Sequence, residues 1–201
     1  MDYWKIKLFG EILISLIKTI KMKHLVYSLF FLSASVFAQT KYLTKTGTVD
    51  FEASVPSFEE VKASNSSVTA ILNSENGEFA ALVLVKGFRF KNALMEEHFN
   101  ENYAESDKYP KATFKGKIVG FDVSKLNGTS THKITGELTF HGKTMKIENV
   151  EVTISKANDM IQLNGGFVTQ ASDFDIKIPK IVSNKIAETV NVDFDFSLKI
   201  K

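Results

Sequence analysis

Three groups of residues in this chain have chemistry that could carry a function: four histidines, a cluster of carboxylates and a large stock of phenylalanine. His24 falls in the N-terminal region, which leaves His98, His132 and His141. No two of these stand at a short ligand spacing, so a metal would need distant segments to converge, and no metal site is expected. Glu96, Glu97, Glu101, Glu105 and Asp107 could be cast as an acid–base pair. Nothing in their spacing lifts them above the solvated face of a short helix. The chain has no Gly-x-Ser-x-Gly elbow, phosphate-cradling loop or dinucleotide fingerprint. No catalytic residue and no cofactor are expected.

Composition narrows the field further. Cysteine is absent, which removes disulfides, thiolate metal sites and cysteine nucleophiles. Basic and acidic residues number 25 and 23, and Arg89 is the single arginine, so no nucleic-acid footprint is drawn. Phenylalanine, by contrast, occurs 17 times against one tryptophan. Phe79, Phe88, Phe90, Phe99, Phe114, Phe140, Phe194 and Phe196 fall on or beside positions that point to one interior. Such stripes most often fill a core. The functional alternative is a lined tube, where each buried CH₂ of a ligand tail contributes about 0.8 kcal/mol. Inward glycines at Gly116, Gly136 and Gly165 favour the tube by leaving room. His98, on the apolar side of its helix, is then placed to meet a ligand head group, with Tyr103, Tyr109 and Arg89 near it in sequence.

The elements that must position these residues read as β. Gly47 to Ala53 alternates, with Val49, Phe51 and Ala53 on one face. Ser57-Phe58-Glu59-Glu60 fits a capping box, which predicts a short helix or turn ending before Asn65. Ser67 to Leu72 alternates weakly, and the glycine of Asn73 to Gly77 suits a hairpin loop. The run from Phe79 to Val85 is apolar on both faces, so its outer face needs a cover, most economically the helix expected from Asn92 to Tyr103. Asn92 can cap that helix, on which Leu94, Met95, His98 and Phe99 recur at helical spacing. Pro110 ends helical geometry and a strand follows from Lys111 to Phe121. Thr131 to Phe140, Thr144 to Ile154, Ile161 to Thr169 and Val190 to Ile200 complete eight strands with no βαβ rhythm. Apolar parity slips between Ile147 and Val150, which predicts a β-bulge near Glu148-Asn149.

A resemblance attaches to three of these stretches. Met95-Glu96-Glu97-His98-Phe99-Asn100 followed by Glu105 to Gly116 resembles the central signature of YceI-like proteins, in the form found in Bacteroidetes-type bacteria. Gly136-Glu137-Leu138-Thr139-Phe140-His141-Gly142 resembles that family's second motif, and Gly47 to Asn65 its opening segment. The three fall in the family's order. The resemblance implies an all-β fold, an eight-stranded antiparallel lipocalin-like barrel with one or two short helices, occupying residues 39–201. It further implies a periplasmic or secreted carrier of a long apolar ligand of isoprenoid or fatty-acyl type and, since lipocalin-like tubes mostly bind rather than catalyse, a non-enzyme. The ligand-binding residues expected are Phe88, Phe90, Leu94, His98, Phe99, Phe114, Ile118, Phe140, Phe194 and Phe196. Where many members carry an Arg-Asp pair before the histidine, this chain has Met95-Glu96, so head-group recognition does not carry over from them. A two-sheet sandwich would alternate in the same way, and the preference for a barrel rests on the resemblance. An interaction module with a solid core, in stress response, and an enzyme acting on bound lipid stand as the rival readings. A homodimer is left open.

Residues 1–38 read as a targeting region. From Met22 the sequence has a basic start, an apolar stretch from Leu25 to Leu32, and Val36 and Ala38 at the −3 and −1 places of a cleavage site. Translation starting at Met22 accounts for the second apolar run before it. An uncleaved anchor is the competing reading, but the run falls short of the roughly 20 residues that span a bilayer.

Overall fold

The computed structural model describes residues 40–56 and 58–201, together with residues 4, 8, 11 and 15. The expected signal segment from Met22 to Ala38 lies outside the described residues, as does Ser57 of the expected capping box. The described residues from 40 to 201 belong to one compact unit. No described helix is long and apolar enough to cross a membrane.

Alternation dictates a sheet, and the sheet closes on itself. Its strands are β1 (Lys41–Ser54), β2 (Lys62–Asn73), β3 (Glu78–Leu84), β4 (Arg89–Phe90), β5 (Lys111–Ile118), β6 (Gly128–Phe140), β7 (Lys143–Ala157), β8 (Met160–Gln170) and β9 (Ile186–Ile200). Hydrogen-bonded neighbours run β1-β9-β8-β7-β6-β5-β3-β2, and β2 pairs back onto β1. Eight antiparallel strands therefore form a closed barrel, as expected, while the two-residue β4 is a patch on the start of β2. The registers carry one set of side chains around the inside. Phe51 faces Ala63, Phe79 faces Gly116, Gly116 faces Gly136, Ile154 faces Leu163, and Leu163 faces Phe196. Eight strands leave an interior just wide enough for side chains or one slender guest.

Several strands run longer than alternation predicts. The first begins at Lys41, because register shifts on either side of Gly47 break its parity. The second begins at Lys62, its early inward positions being small or polar, Ala63 and Asn65. Buried Asn65 ties the chain down there: its amide donates to Leu84 O at 2.9 Å, and its oxygen accepts from Ser67 N at 3.0 Å. No helix precedes β2 among the described residues 58–61; the chain turns instead, with Phe58 N donating to Val55 O at 3.2 Å. The predicted bulge is present. Ile134 pairs with Val150 and Gly136 with Ile147, and Asn149 takes the positive φ of 55° that the extra residue requires.

The two ends of the barrel differ. At one end the connections are 74–77, 119–127 and 158–159. A 3₁₀ turn at Val123–Lys125 crosses that end, capped by Asp122, whose carboxylate accepts from Ser124 N at 3.0 Å. The Ser124 hydroxyl, donating at 2.6 Å, and the Lys125 ammonium at 3.0 Å, together with that backbone bond, hold the Asp122 carboxyl down at about 2. Leu126 follows it into the core, with Phe121 and Val123 packed beside it. Tyr42, Leu72, Ile118, Ile154, Ile161, Leu163 and Leu198 fill this half and are shut away from solvent. At the other end the connections are 55–61, 85–110, 141–142 and 171–185, three of them long.

The longest of these contains α1 (Ala93–His98), whose cap is Asn92: its side chain accepts from Leu94 N at 2.9 Å. A π-turn over Phe99–Tyr103 ends the helix, with Ala104 N donating to Phe99 O at 2.8 Å. This segment does not cover the outer face of β3. Phe99 packs its ring against Phe51, Phe88 and Phe90 at 5.2–5.8 Å, which turns the helix toward the barrel interior. Leu84 on the outer face remains 53% exposed.

Candidate ligand cavity

Between the packed half and the long connections lies a cavity of about 590 Å³. The interior is therefore not a solid core. Its walls come from inward strand positions, among them Val49, Phe51 and Ala53 of β1, Ala81 and Val83 of β3, Ala112 of β5, Leu138 and Phe140 of β6, and Val190 and Val192 of β9. Four of the inward residues near the mouth are alanines, Ala53, Ala81, Ala112 and Ala187, where the packed end carries leucine and isoleucine. Small side chains at these positions cannot meet across the lumen, and the space stays open.

Its floor is built of phenylalanine. Phe79 lies 5.5 Å from Phe196 and 6.2 Å from Phe114, and Phe194 stacks on Phe196 at 5.7 Å between ring centroids. The inward glycines do not leave empty space, contrary to the expectation above. A Cβ on Gly116 or Gly136 would meet the Phe114 ring at 2.7 Å, one on Gly165 would meet Phe194 at 2.9 Å, and one on Gly47 would meet Phe196. Glycine serves as a seat, letting each ring lie flat against the wall.

Of the ten expected binding residues, Phe88, Phe90, His98, Phe99, Phe114, Phe140, Phe194 and Phe196 line this cavity. Leu94 and Ile118 are not among its walls. Leu94 is 56% exposed, one helical step of about 100° from the inward Met95. Ile118 is buried in the packed half at the closed end. Arg89 is likewise occupied elsewhere, donating to Glu96 Oε1 at 3.0 Å and to the carbonyls of Lys86 and Phe88 at 2.9 Å. Tyr109 packs edge-on against His141 at 4.6 Å.

Sequence reasoning missed the contribution of 171–185 to the cavity. Ile176, Ile178, Val182 and Lys185 from it line the cavity, as do Ala171 and Phe174. The spacing of Ile176 and Ile178 before Pro179 was the available signal. Met95, expected on the apolar side of the helix, and Tyr103, expected near His98, stand outside the ten expected binding residues, yet both join His98 in lining the cavity from α1 and the π-turn. Burial pushes the Tyr103 phenol above its ordinary pKa, so it is a neutral hydroxyl at physiological pH.

One histidine holds the roof together. His141 Nδ1 donates to Phe174 O at 2.8 Å, and its Nε2 lies 2.8 Å from Glu105 Oε2. The imidazole thereby joins the helix exit, the β6–β7 turn and the 3₁₀ turn Ala171–Phe174. Glu105, His141 and Asp175, at φ of 42°, 46° and 57°, all adopt the left-handed region. Such backbone strain persists only where surrounding contacts enforce it. Lys143 Nζ pairs with Asp175 Oδ2 at 2.6 Å on the outer side of this cluster. Among the described residues no three histidines or carboxylates gather in a way that could hold a metal ion.

A closed eight-stranded antiparallel barrel, packed at one end and holding an apolar well at the other, defines the class as lipocalin-like. Within it, the chain belongs to the YceI-like family, whose YceI-like domain matches residues 34–198. No curated protein matches the chain by sequence. Among solved structures, it is similar to a polyisoprenoid binding domain from Saccharophagus degradans implicated in plant cell wall breakdown, at 15% identity and a TM-score of 0.70, covering 80% of this chain and 98% of that one. It is similar to BcnA of Burkholderia cenocepacia at 17% identity and a TM-score of 0.63, covering 76% and 95%. The Campylobacter jejuni YceI protein follows at 16% identity and a TM-score of 0.58, covering 73% and 88%. At these identities the likeness is one of fold.

Proposed function

We propose that this protein is a periplasmic carrier that sequesters the tail of a long apolar lipid, of isoprenoid or fatty-acyl type, without transforming it. The observation that carries the reading is the well itself: about 590 Å³ walled by phenylalanine, alanine, valine and isoleucine and entered from one end. Ten buried methylenes would contribute about 8 kcal/mol there, set against the cost of ordering the chain. The polyisoprenoid binding domain from Saccharophagus degradans, alike in fold, supports the ligand class. Export is supported by the signal-like run from Met22 to Ala38.

Native mass spectrometry with lipid extraction tests the proposal. Purified full chain is expected to carry a long-chain lipid, and Ala81→Phe, which fills the lumen from β3, to lose it while keeping the barrel fold by circular dichroism. A wild-type chain that neither carries lipid nor takes up acyl or prenyl probes would remove the proposal.

A further inference from the structure

The polar side chains around the well divide into two sets. Some are already satisfied by the protein. Thr169 donates to Asp173 Oδ2 at 3.1 Å, Gln170 accepts from Thr189 at 3.2 Å, and Glu59 accepts from Asn92 Nδ2 at 3.3 Å. Thr113 turns outward between the inward Ala112 and Phe114. Three donors remain, His98, Tyr103 and Lys185. All three line the cavity, and their side chains have no hydrogen-bond or ion partner among the described residues.

Topology gathers these three at the mouth. His98 ends α1 and Tyr103 closes the π-turn, and between them Phe99 is packed on Phe51 of β1. Lys185 immediately precedes β9, whose first residue, Ile186, pairs with Ser54 at the end of the same strand β1. Tails enter the well from this end, so a head group comes to rest at this level. The one acidic residue of the lining, Glu59, is engaged by Asn92, whereas the one lysine is not engaged. Charge-assisted hydrogen bonds to an anion are the strong ones, and the ammonium of exposed Lys185, the Tyr103 phenol and the imidazole of exposed His98 bring three kinds of donor to the lining of one mouth.

We infer that Lys185, His98 and Tyr103 form an anchor for an anionic head group, so that the ligand is an acidic amphiphile: a single tail ending in a carboxylate or a phosphate. The inference rests on the carrier reading and adds the polarity of the ligand's free end. It also assigns a binding role to 171–185 that its sequence did not announce.

The test uses delipidated full chain and four probes in two matched pairs, palmitic acid with hexadecanol and geranylgeranyl phosphate with geranylgeraniol, with affinities measured by displacement of a fluorescent acyl probe. In at least one pair the anion is expected to bind about tenfold more tightly than its alcohol. Lys185→Gln is expected to erase that preference, weakening the anion about tenfold and the alcohol far less, and Lys185→Arg to keep it. Tyr103→Phe is expected to weaken the anion alone by a few-fold. A preference confined to palmitic acid assigns the head as carboxylate, and one confined to geranylgeranyl phosphate assigns it as phosphate. Anion and alcohol binding alike in both pairs, or a preference that survives Lys185→Gln, overturns the anchor and leaves the carrier intact. No binding of any probe overturns both.

Discussion

The two halves of this barrel are made from the same strands with the same alternation, yet one is full and the other hollow. Leu163 and Leu198 stand on β8 and β9 a few residues from Phe167 and Val192, on the same face, and only the second pair borders open space. Two differences separate the halves. Inward residues at the closed end are mostly large, with Tyr42 beside leucines and isoleucines, while those lining the cavity include four alanines. The closed end is also stoppered by Leu126 and its neighbours, whereas the mouth is ringed by long connections that line the space without filling it. Parity along a strand therefore tells which way a side chain points. Its size, and what crosses the end of the barrel, tell whether the interior is occupied.

The sharpest way to break this comparison is to cut the same amount of side chain from each half. Leu198→Ala or Leu163→Ala should cost about 3–4 kcal/mol in urea unfolding of delipidated protein, because each opens a void in a packed core. Leu138→Ala, whose side chain already borders the cavity, should cost about 1–2 kcal/mol, since only the transfer contribution is lost. Equal losses would show that the well is closed in solution. The floor between the halves is probed by Gly136→Leu, whose added carbons would run into Lys115 O and the Phe114 ring. A loss of about 2–3 kcal/mol is expected, with ligand uptake impaired because the ring must leave its seat.

Smaller effects sharpen the picture of the mouth. His141→Ala removes two hydrogen bonds, one to a carboxylate, and should cost about 2 kcal/mol. Hydrogen exchange should rise in 171–176 and around Glu105, and bound lipid should dissociate faster, while protection in β8 and β9 near Leu163 and Leu198 is unchanged. The smallest effect is expected at Lys143. Its ammonium holds the exposed Asp175 carboxyl below the ordinary carboxylate value, and Asp175 in turn raises the Lys143 pKa. A carboxyl lowered by folding stabilises the protein above its unfolded pKa, and that contribution disappears as pH falls through the lowered value. Lys143→Met should accordingly lower the thermal midpoint slightly at neutral pH, with the difference from wild type fading in acid once Asp175 is protonated.

Much of the wall was legible in the sequence. The unbroken alternation of Val190 to Leu198 matches the inward face of β9, the slip between Ile147 and Val150 located the bulge, and Asn92 marked the start of α1. What was hidden has physical reasons. Alternation captures only part of β1, because irregular pairing on both sides of Gly47 destroys period-two parity. Inward glycines were read as vacancies because a sequence does not show which ring lies over them, and here Phe114, Phe194 and Phe196 do. Leu94 was placed with His98 and Phe99 because apolar character was weighed over helical phase. The lining segment from Ile176 to Lys185 escaped notice because residues without regular structure offer no period to follow; only tertiary contact turns Ile178 and Val182 inward.

The unbroken circumference of the sheet bears on how cargo could come and go. A sideways exit would mean parting two neighbouring strands along their length, forfeiting a whole ladder of bonds each worth about 1 kcal/mol net. Displacing the segments at the mouth sacrifices far fewer. On the carrier reading, traffic would be confined to a single doorway, and the residence time of a passenger would depend on the contacts around His141 rather than on the strength of the barrel.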